Sequence, residues 1–354
     1  MTTHEASERP SRLAVAVGVL AALVLGGVLL FGVYGKALDP DGFTEHMETN
    51  GIVVPGLELD LTFGLPGRFM ALATLFLETL IGALLLFNVR RLWVLVPALL
   101  LTALFLSITA NEWWKVEHGL IDPLTGCGCF GKVVTRTPKE AFFQDLGLLL
   151  FPALLAFLGR PKGPPRVPRR RTLTALALAV AATVFAWFAP DIDALDDYAT
   201  KLAPGVDVAE LCVGSGEDMA CLGGPGNVVP PLATGRHLVI LSRLEEPAMD
   251  AAVARLNAYA EAWYLESDER EAAGGAPLQA PEPWVLTHVE GDNESPWAAG
   301  DPSADRPPAL FQIRTIPEPL LTILHRRLPR TFLVHDGKVV ATWTGIPTLP
   351  GIDP

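Results

Sequence analysis

The chain carries four thiols, and two of them sit one residue apart in Gly126-Cys127-Gly128-Cys129-Phe130-Gly131. Thiolates attack disulfides and bind soft metals such as Cu(I) or Zn²⁺, so such a pair is a candidate redox centre or metal ligand. A Cys-x-Cys pair closes only a small, strained ring, and strain makes a disulfide oxidising and labile rather than a staple. The flanking glycines permit backbone conformations closed to other residues. Phe130 offers an apolar group for docking the loop on a membrane surface. The competing reading is two buried or unrelated thiols.

The other pair, Cys212 and Cys221, lies in Leu211-Cys-Val-Gly-Ser-Gly-Glu-Asp-Met-Ala-Cys-Leu-Gly-Gly224. This spacing suits a disulfide loop. A structural staple is the first reading, and a mobile pair exchanging with Cys127 and Cys129 is the second. Glu78 is the one carboxylate well inside a predicted apolar helix. A charge there costs roughly 3 kcal/mol to insert, so it is expected to face the bundle interior. It is positioned to take a proton on thiol oxidation, or to bond a neighbouring helix as the neutral acid. Asp145 is expected to open the fourth membrane helix, as a charge complementing its dipole.

Half the residues are apolar and the mean hydropathy is +0.34, which suits a membrane protein with an attached soluble domain. Five stretches reach the roughly 20 residues that a bilayer requires: Leu13 to Tyr34, Phe69 to Asn88, Leu92 to Ala110, Ala141 to Leu158 and Thr172 to Ala189. The first is read as an uncleaved helix rather than a signal peptide. Arg9 and Arg12, Arg90 and Arg91, and six basic residues from Arg160 to Arg171 all fall on one side if the helices alternate. By the positive-inside rule that side is cytoplasmic. Residues 191–354 and the Cys127 loop are then outside, where disulfides persist. So is the first loop, in which Asp39 or Asp41 is expected to cap a short surface helix.

From Asp191 onward 11 Lys/Arg face 25 Asp/Glu, which argues against nucleic acid as a partner. This region reads as α/β. His237 to Ser242 and Trp284 to His288 are strands, and Pro247 to Trp263 is a helix with apolar residues at helical spacing. Pro319 to Leu328 is a second helix. Thr331 to His335 and Lys338 to Trp343 form a hairpin around Asp336-Gly337. Residues 265–282 and 291–308 read as exposed loops.

Residues of about 13–160 resemble the methylamine-utilisation MauE family, within the DoxX-like four-helix membrane proteins. The resemblance rests on Lys36-Ala-Leu-Asp-Pro40, Glu78, Cys127-Gly-Cys-Phe-Gly131 and Asp145. It implies a role in disulfide formation during maturation of exported enzymes. The bundle is also similar in plan to vitamin K epoxide reductase-type proteins, which implies a quinone as electron acceptor. This chain has no Cys-x-x-Cys in a membrane helix, so that cofactor is not required by the sequence.

Residues of about 232–345 resemble the thioredoxin fold, best over Leu328-Pro329-Arg-Thr-Phe-Leu-Val-His-Asp-Gly-Lys-Val-Val340. This implies a cis bond at Pro329. Where thioredoxins carry Cys-x-x-Cys, the chain reads Ser242-Arg-Leu-Glu-Glu-Pro-Ala-Met249, so the domain is expected to bind or position rather than exchange thiols.

The expected fold is thus a membrane α-helical bundle, a four-helix unit plus a fifth helix, followed by a thioredoxin-like extracytoplasmic domain. The divisions are 1–160, a basic loop and helix over 161–190, a Cys-containing linker over 191–231, and 232–354. The expected function is membrane-bound thiol–disulfide chemistry at Cys127 and Cys129 in the cytoplasmic (inner) membrane. The lipid bilayer and an exported client or redox partner are its partners. The alternatives are Cu(I) binding by those thiols and a scaffold for assembling exported proteins. No dinucleotide, phosphate or haem-attachment motif is present, and no metal-ligand set is assigned.

Overall fold

A computed structural model describes residues 12–49, 52–54, 57–59, 66–122, 124, 132, 136–161, 168–214, 219–224, 226–243, 247–276, 278–288 and 308–349. The chain divides into two compact units, Met1–Ile192 and Asp193–Pro354. Cys127 and Cys129 lie outside the described residues.

The first unit contains helices α1 (Arg12–Leu38), α2 (Pro40–Thr49), α3 (Gly67–Leu86), α4 (Leu92–Glu117), α5 (Pro138–Asp145), α6 (Phe151–Leu158) and α7 (Arg169–Phe188). Between α2 and α3 the short strands β1 (Ile52–Val54) and β2 (Leu57–Leu59) pair antiparallel. Among the described residues, five helical stretches are long and apolar enough to cross a membrane: Arg12–Leu38, Gly67–Leu86, Leu92–Glu117, Pro138–Leu158 and Arg169–Asp191. Four of the five spans read from the sequence fall within one of them, and the second, Phe69 to Asn88, overruns its helix by two residues.

Small residues let the helices approach closely, the usual basis of helix association in lipid. A Cβ built on Gly26 of α1 would stand 2.8 Å from the Gly82 carbonyl oxygen of α3. One on Gly18 would stand 2.9 Å from Gly159 Cα, just after α6. Gly26→Val is therefore expected to separate α1 from α3 and abolish a monodisperse detergent-solubilised species, whereas Gly27→Val, whose Cβ meets nothing within 4 Å, leaves it intact. Size-exclusion chromatography distinguishes the two. At the same end, Arg90 donates to the carbonyls of Gly159 (2.7 Å) and Val15 (3.3 Å) and to Asn88 Oδ1 (2.8 Å), tying three elements.

The fourth span begins earlier than its hydrophobicity suggests. Thr137 and Glu140 form a reciprocal capping box with Pro138 in the first turn. This corrects the reading of Asp145: it ends α5 rather than opening a helix, so it does not complement an N-terminal dipole. A π-helical stretch, Leu146–Leu150, follows it and leads into Pro152. Proline has no N–H for the helical ladder, and the local change of period accommodates that loss.

In the second unit, strands β5 (Arg236–Leu241), β6 (Glu282–Thr287), β7 (Gln312–Thr315), β8 (Arg330–His335) and β9 (Lys338–Thr344) form one sheet in the order β7-β6-β5-β8-β9. β5, β6 and β7 run parallel, β8 runs antiparallel to β5, and β9 antiparallel to β8. β5 is central and covered, hence its unbroken apolar run. Helix α9 (Pro247–Ala272) packs Val253, Leu256 and Ala260 against Ile240 and Val285. It continues through residues 265–272, which were expected as loop. Tyr259 and Trp263 donate to the carbonyls of Pro281 and Ala280, fastening the approach to β6. Helix α10 (Glu318–Leu324) precedes a cis Leu328–Pro329 peptide. In the hairpin turn Asp336 and Gly337 both have positive φ, +48° and +80°.

The stretch read as a linker is structured. Helix α8 (Asp196–Ala199) and strands β3 (Cys212–Val213) and β4 (Ala220–Cys221) lie in it, and Cys212 and Cys221 are disulfide-bonded across β3 and β4. Backbone bonds from Lys201 to Ile323, from Gly205 to Val339 and from Val208 to Gly337 join it to the remainder of the unit. Arg330, fully buried, donates to Asp197 Oδ1 and Thr200 Oγ1 and to the carbonyls of Asp196, Leu202 and Leu324. Burial pulls its guanidinium below the usual arginine range, while Asp196 and Asp197 oppose that shift.

Candidate functional site

The first unit buries a cluster of charges. Lys36, in the last turn of α1, pairs with Glu78 of α3; the two side chains are 2% and 1% exposed. The Lys36 ammonium also stands 4.9 Å and 4.7 Å from the ring centres of Phe43 and Phe105. A cation enclosed by an acid and two aromatic faces is held far better than one left alone in an apolar bundle. Glu78, singled out in the sequence for its place inside a span, therefore points to the neighbouring helix, with a lysine as its partner.

Asp145 is equally buried, at 1% exposed, and accepts from Arg136 at 3.3 Å. It shares with Lys36 and Glu78 the lining of a small cavity, closed on its apolar side by Phe105 and Leu149. Asp39 lies between α1 and α2, where Oδ1 accepts from Gly42 N and Oδ2 pairs with Lys132 at 2.9 Å. Of the two residues expected to cap a surface helix, Asp39 or Asp41, Asp39 does so, and its second oxygen reaches Lys132.

On α2, which lies between spans, His46 Nε2 is 3.4 Å from Glu112 Oε1 of α4. Burial, with the Lys36 and Lys115 cations adding to it, pulls this imidazole down to about 4. The unfolded chain's histidine titrates near 6.5, so the unfolded state binds the extra proton between these values. Stability from this group is then full above about pH 6.5 and lost as pH falls toward 4, by at most about 3 kcal/mol. His46→Asn is expected to flatten that window in an acid titration of thermal stability. A variant as steep as wild type would assign the loss to other groups.

Among the described residues the cluster holds the acids Asp39, Glu78, Glu112 and Asp145 and the bases Lys36, Lys115, Lys132 and Arg136, with His46 beside them. Sequence reasoning found Glu78, read Asp39 as a helix cap, quoted Lys36 only within a family pattern, and missed His46, Glu112 and Arg136. The signal for Glu112 and Lys115 was hidden because α4 runs seven residues beyond Ala110, to Glu117. The structure thus gathers three of the four pattern segments, those of Lys36–Asp39, Glu78 and Asp145. It does not describe Cys127 and Cys129. Cys212, Cys221 and Pro329 lie in the second unit.

Chemically, the cluster is a set of proton-holding groups in an apolar bundle. Among the described residues no group of three or more His, Cys, Asp or Glu side chains is arranged to hold a metal ion. Residues 14–159 match the family model described as methylamine utilisation protein MauE. The match spans α1 to α6 and includes Lys36, Asp39, Glu78 and Asp145. No curated protein and no solved structure matches the chain.

Proposed function

Taking the match over residues 14–159 as premise, we propose that the chain is a membrane-bound thiol–disulfide redox protein. It assists disulfide formation or maturation of exported proteins, with Cys127 and Cys129 as the exchanging pair. The observation that carries this reading is the fastening of the chain directly after the cysteine loop. Lys132 is fixed to Asp39 and Arg136 to Asp145, both in the buried charged cluster. The residues that follow the Cys-x-Cys pair in the chain thus lead into a cluster of titratable side chains. In the cycle one thiolate attacks a partner disulfide, giving a mixed disulfide and one partner thiolate. The second thiolate then displaces the other partner sulfur, leaving Cys127–Cys129 oxidised and the partner reduced; the reverse sequence oxidises a partner.

The basic residues around Arg90 and Arg160–Arg171 support a cytoplasmic N-terminus and an external second unit. The Cys212–Cys221 disulfide agrees with an oxidising compartment. We read the second unit as thioredoxin-like, on its β6-β5-β8-β9 order and the cis bond before β8. Ser242 stands where a thiol would be needed, so the unit positions a client rather than reacting with it. The cavity beside Glu78 is about 10 Å³, too small for a quinone ring.

The test is the redox state of all four cysteines in cells, read by differential alkylation and mass spectrometry. The expected result is Cys127 and Cys129 in both reduced and oxidised fractions, with under-oxidised exported proteins in Cys127→Ser cells. A pair found in one state throughout, with exported disulfides unchanged in the variant, would sink the reading.

A further inference from the structure

The cavity inside the first unit has one polar wall whose hydrogen bonding is incomplete. Asp145 Oδ1 accepts from Arg136, but among the described residues Asp145 Oδ2 has no hydrogen-bond partner. The side chain is 1% exposed, so bulk solvent does not complete it. A buried carboxylate oxygen left unpaired costs on the order of 1–3 kcal/mol or more, so such an atom calls for a donor. The cavity of about 10 Å³ that Asp145 lines with Lys36 and Glu78 is the size of one water molecule.

The two carboxyl groups differ in what they are free to do. Glu78 is locked by its direct bond to Lys36. The polypeptide around Asp145 is locally irregular, with the π-helical stretch beginning at the next residue, a feature frequent at functional sites. The charged groups around Asp145 are Arg136 before α5, Lys36 on α1 and Glu78 on α3. Beyond Lys36 follow His46 on α2 and Glu112 and Lys115 on α4.

We propose that the cavity holds a single water hydrogen-bonded to Asp145 Oδ2, and that Asp145, not Glu78, is the carboxyl that takes up and releases a proton within the bundle. Protonation forms an O–H bond on Oδ2, with the proton delivered from solvent through that water, which is left neutral. The carboxylate loses its negative charge, and Arg136 keeps Oδ1 as acceptor. This goes beyond the thiol chemistry and stands whether or not Cys127 and Cys129 turn over.

The experiment is infrared difference spectroscopy of the full-length protein in lipid nanodiscs, stepped in pH and exchanged into D₂O. A protonated-carboxyl C=O band that titrates and shifts in D₂O is expected in wild type and in Glu78→Gln. It is expected to be lost in Asp145→Asn and to return at an altered frequency in Asp145→Glu. Carboxyl-¹³C aspartate shifts the wild-type band and ¹³C glutamate does not, with Asp39→Asn retaining it; this arm needs no Asp145 variant to fold. Absence of a titrating band, its survival in Asp145→Asn, or a shift with labelled glutamate instead overturns the proposal. None of these readouts depends on the cysteines, so failure here and failure of the redox reading are separate results.

Discussion

Lys36→Met is expected to lower the stability of the first unit by about 3–5 kcal/mol, because it leaves the Glu78 carboxylate buried without its cation. The loss includes the contacts of the ammonium with Phe43 and Phe105. Glu78→Leu alone is expected to cost a similar amount, leaving the ammonium unpaired. The double variant Lys36→Met/Glu78→Leu should recover most of the loss, since two apolar side chains of similar volume satisfy an apolar site. Thermal unfolding of the detergent-solubilised full-length protein gives the comparison. Additive losses in the double variant would mean that the two side chains do not act as a pair.

The second large effect belongs to Arg330. Its substitution by Met removes five hydrogen bonds and leaves the carbonyls of Asp196, Leu202 and Leu324 without that donor. The expected cost is about 3–5 kcal/mol, the range for breaking a buried charged network. Arg330→Lys should recover only part of it, since an ammonium lacks the planar fork that reaches several acceptors at once. Arg270→Ala is the contrast: its pair with Glu266 is exposed and i,i+4, and its loss should cost less than about 0.5 kcal/mol. Proteolytic susceptibility of the full-length protein in increasing urea ranks the three. An Arg330→Met protein as resistant as Arg270→Ala would refute the network's role.

The membrane helices were legible because each is a long apolar run whose only requirement is length. The ends of those helices were not, and the charged cluster lives at the ends. Asp145 was assigned to a helix start because hydrophobicity begins at Ala141, although Thr137-Pro138-Lys139-Glu140 spells a capping box that starts the helix earlier. Lys36 carried no signal of its own, since a basic residue in a last helical turn is ordinary until the carboxylate facing it is known. In the second unit, β5, β6, β8 and β9 were legible from apolar runs and the Asp336-Gly337 turn. Strand β7 was missed, being four residues long and only partly buried. Residues 265–272 were read as loop from their acidity, yet Glu, Ala and Arg favour helix and Glu266 braces Arg270 one turn on. The segment around Lys201 to Val208 has no period to read, because its backbone bonds go to strand β9 and α10 far along the chain.

The partners of the buried cluster lie far apart in the chain: 42 residues separate Lys36 from Glu78, and Asp39 waits still longer for Lys132. During synthesis α1 thus emerges with a charge whose counterion has not yet been made. A chain truncated before Lys132 holds Asp39 in an apolar setting without its cation, which the segment between α4 and α5 supplies. Incomplete chains therefore expose a charge imbalance that the full chain does not, independent of any thiol chemistry.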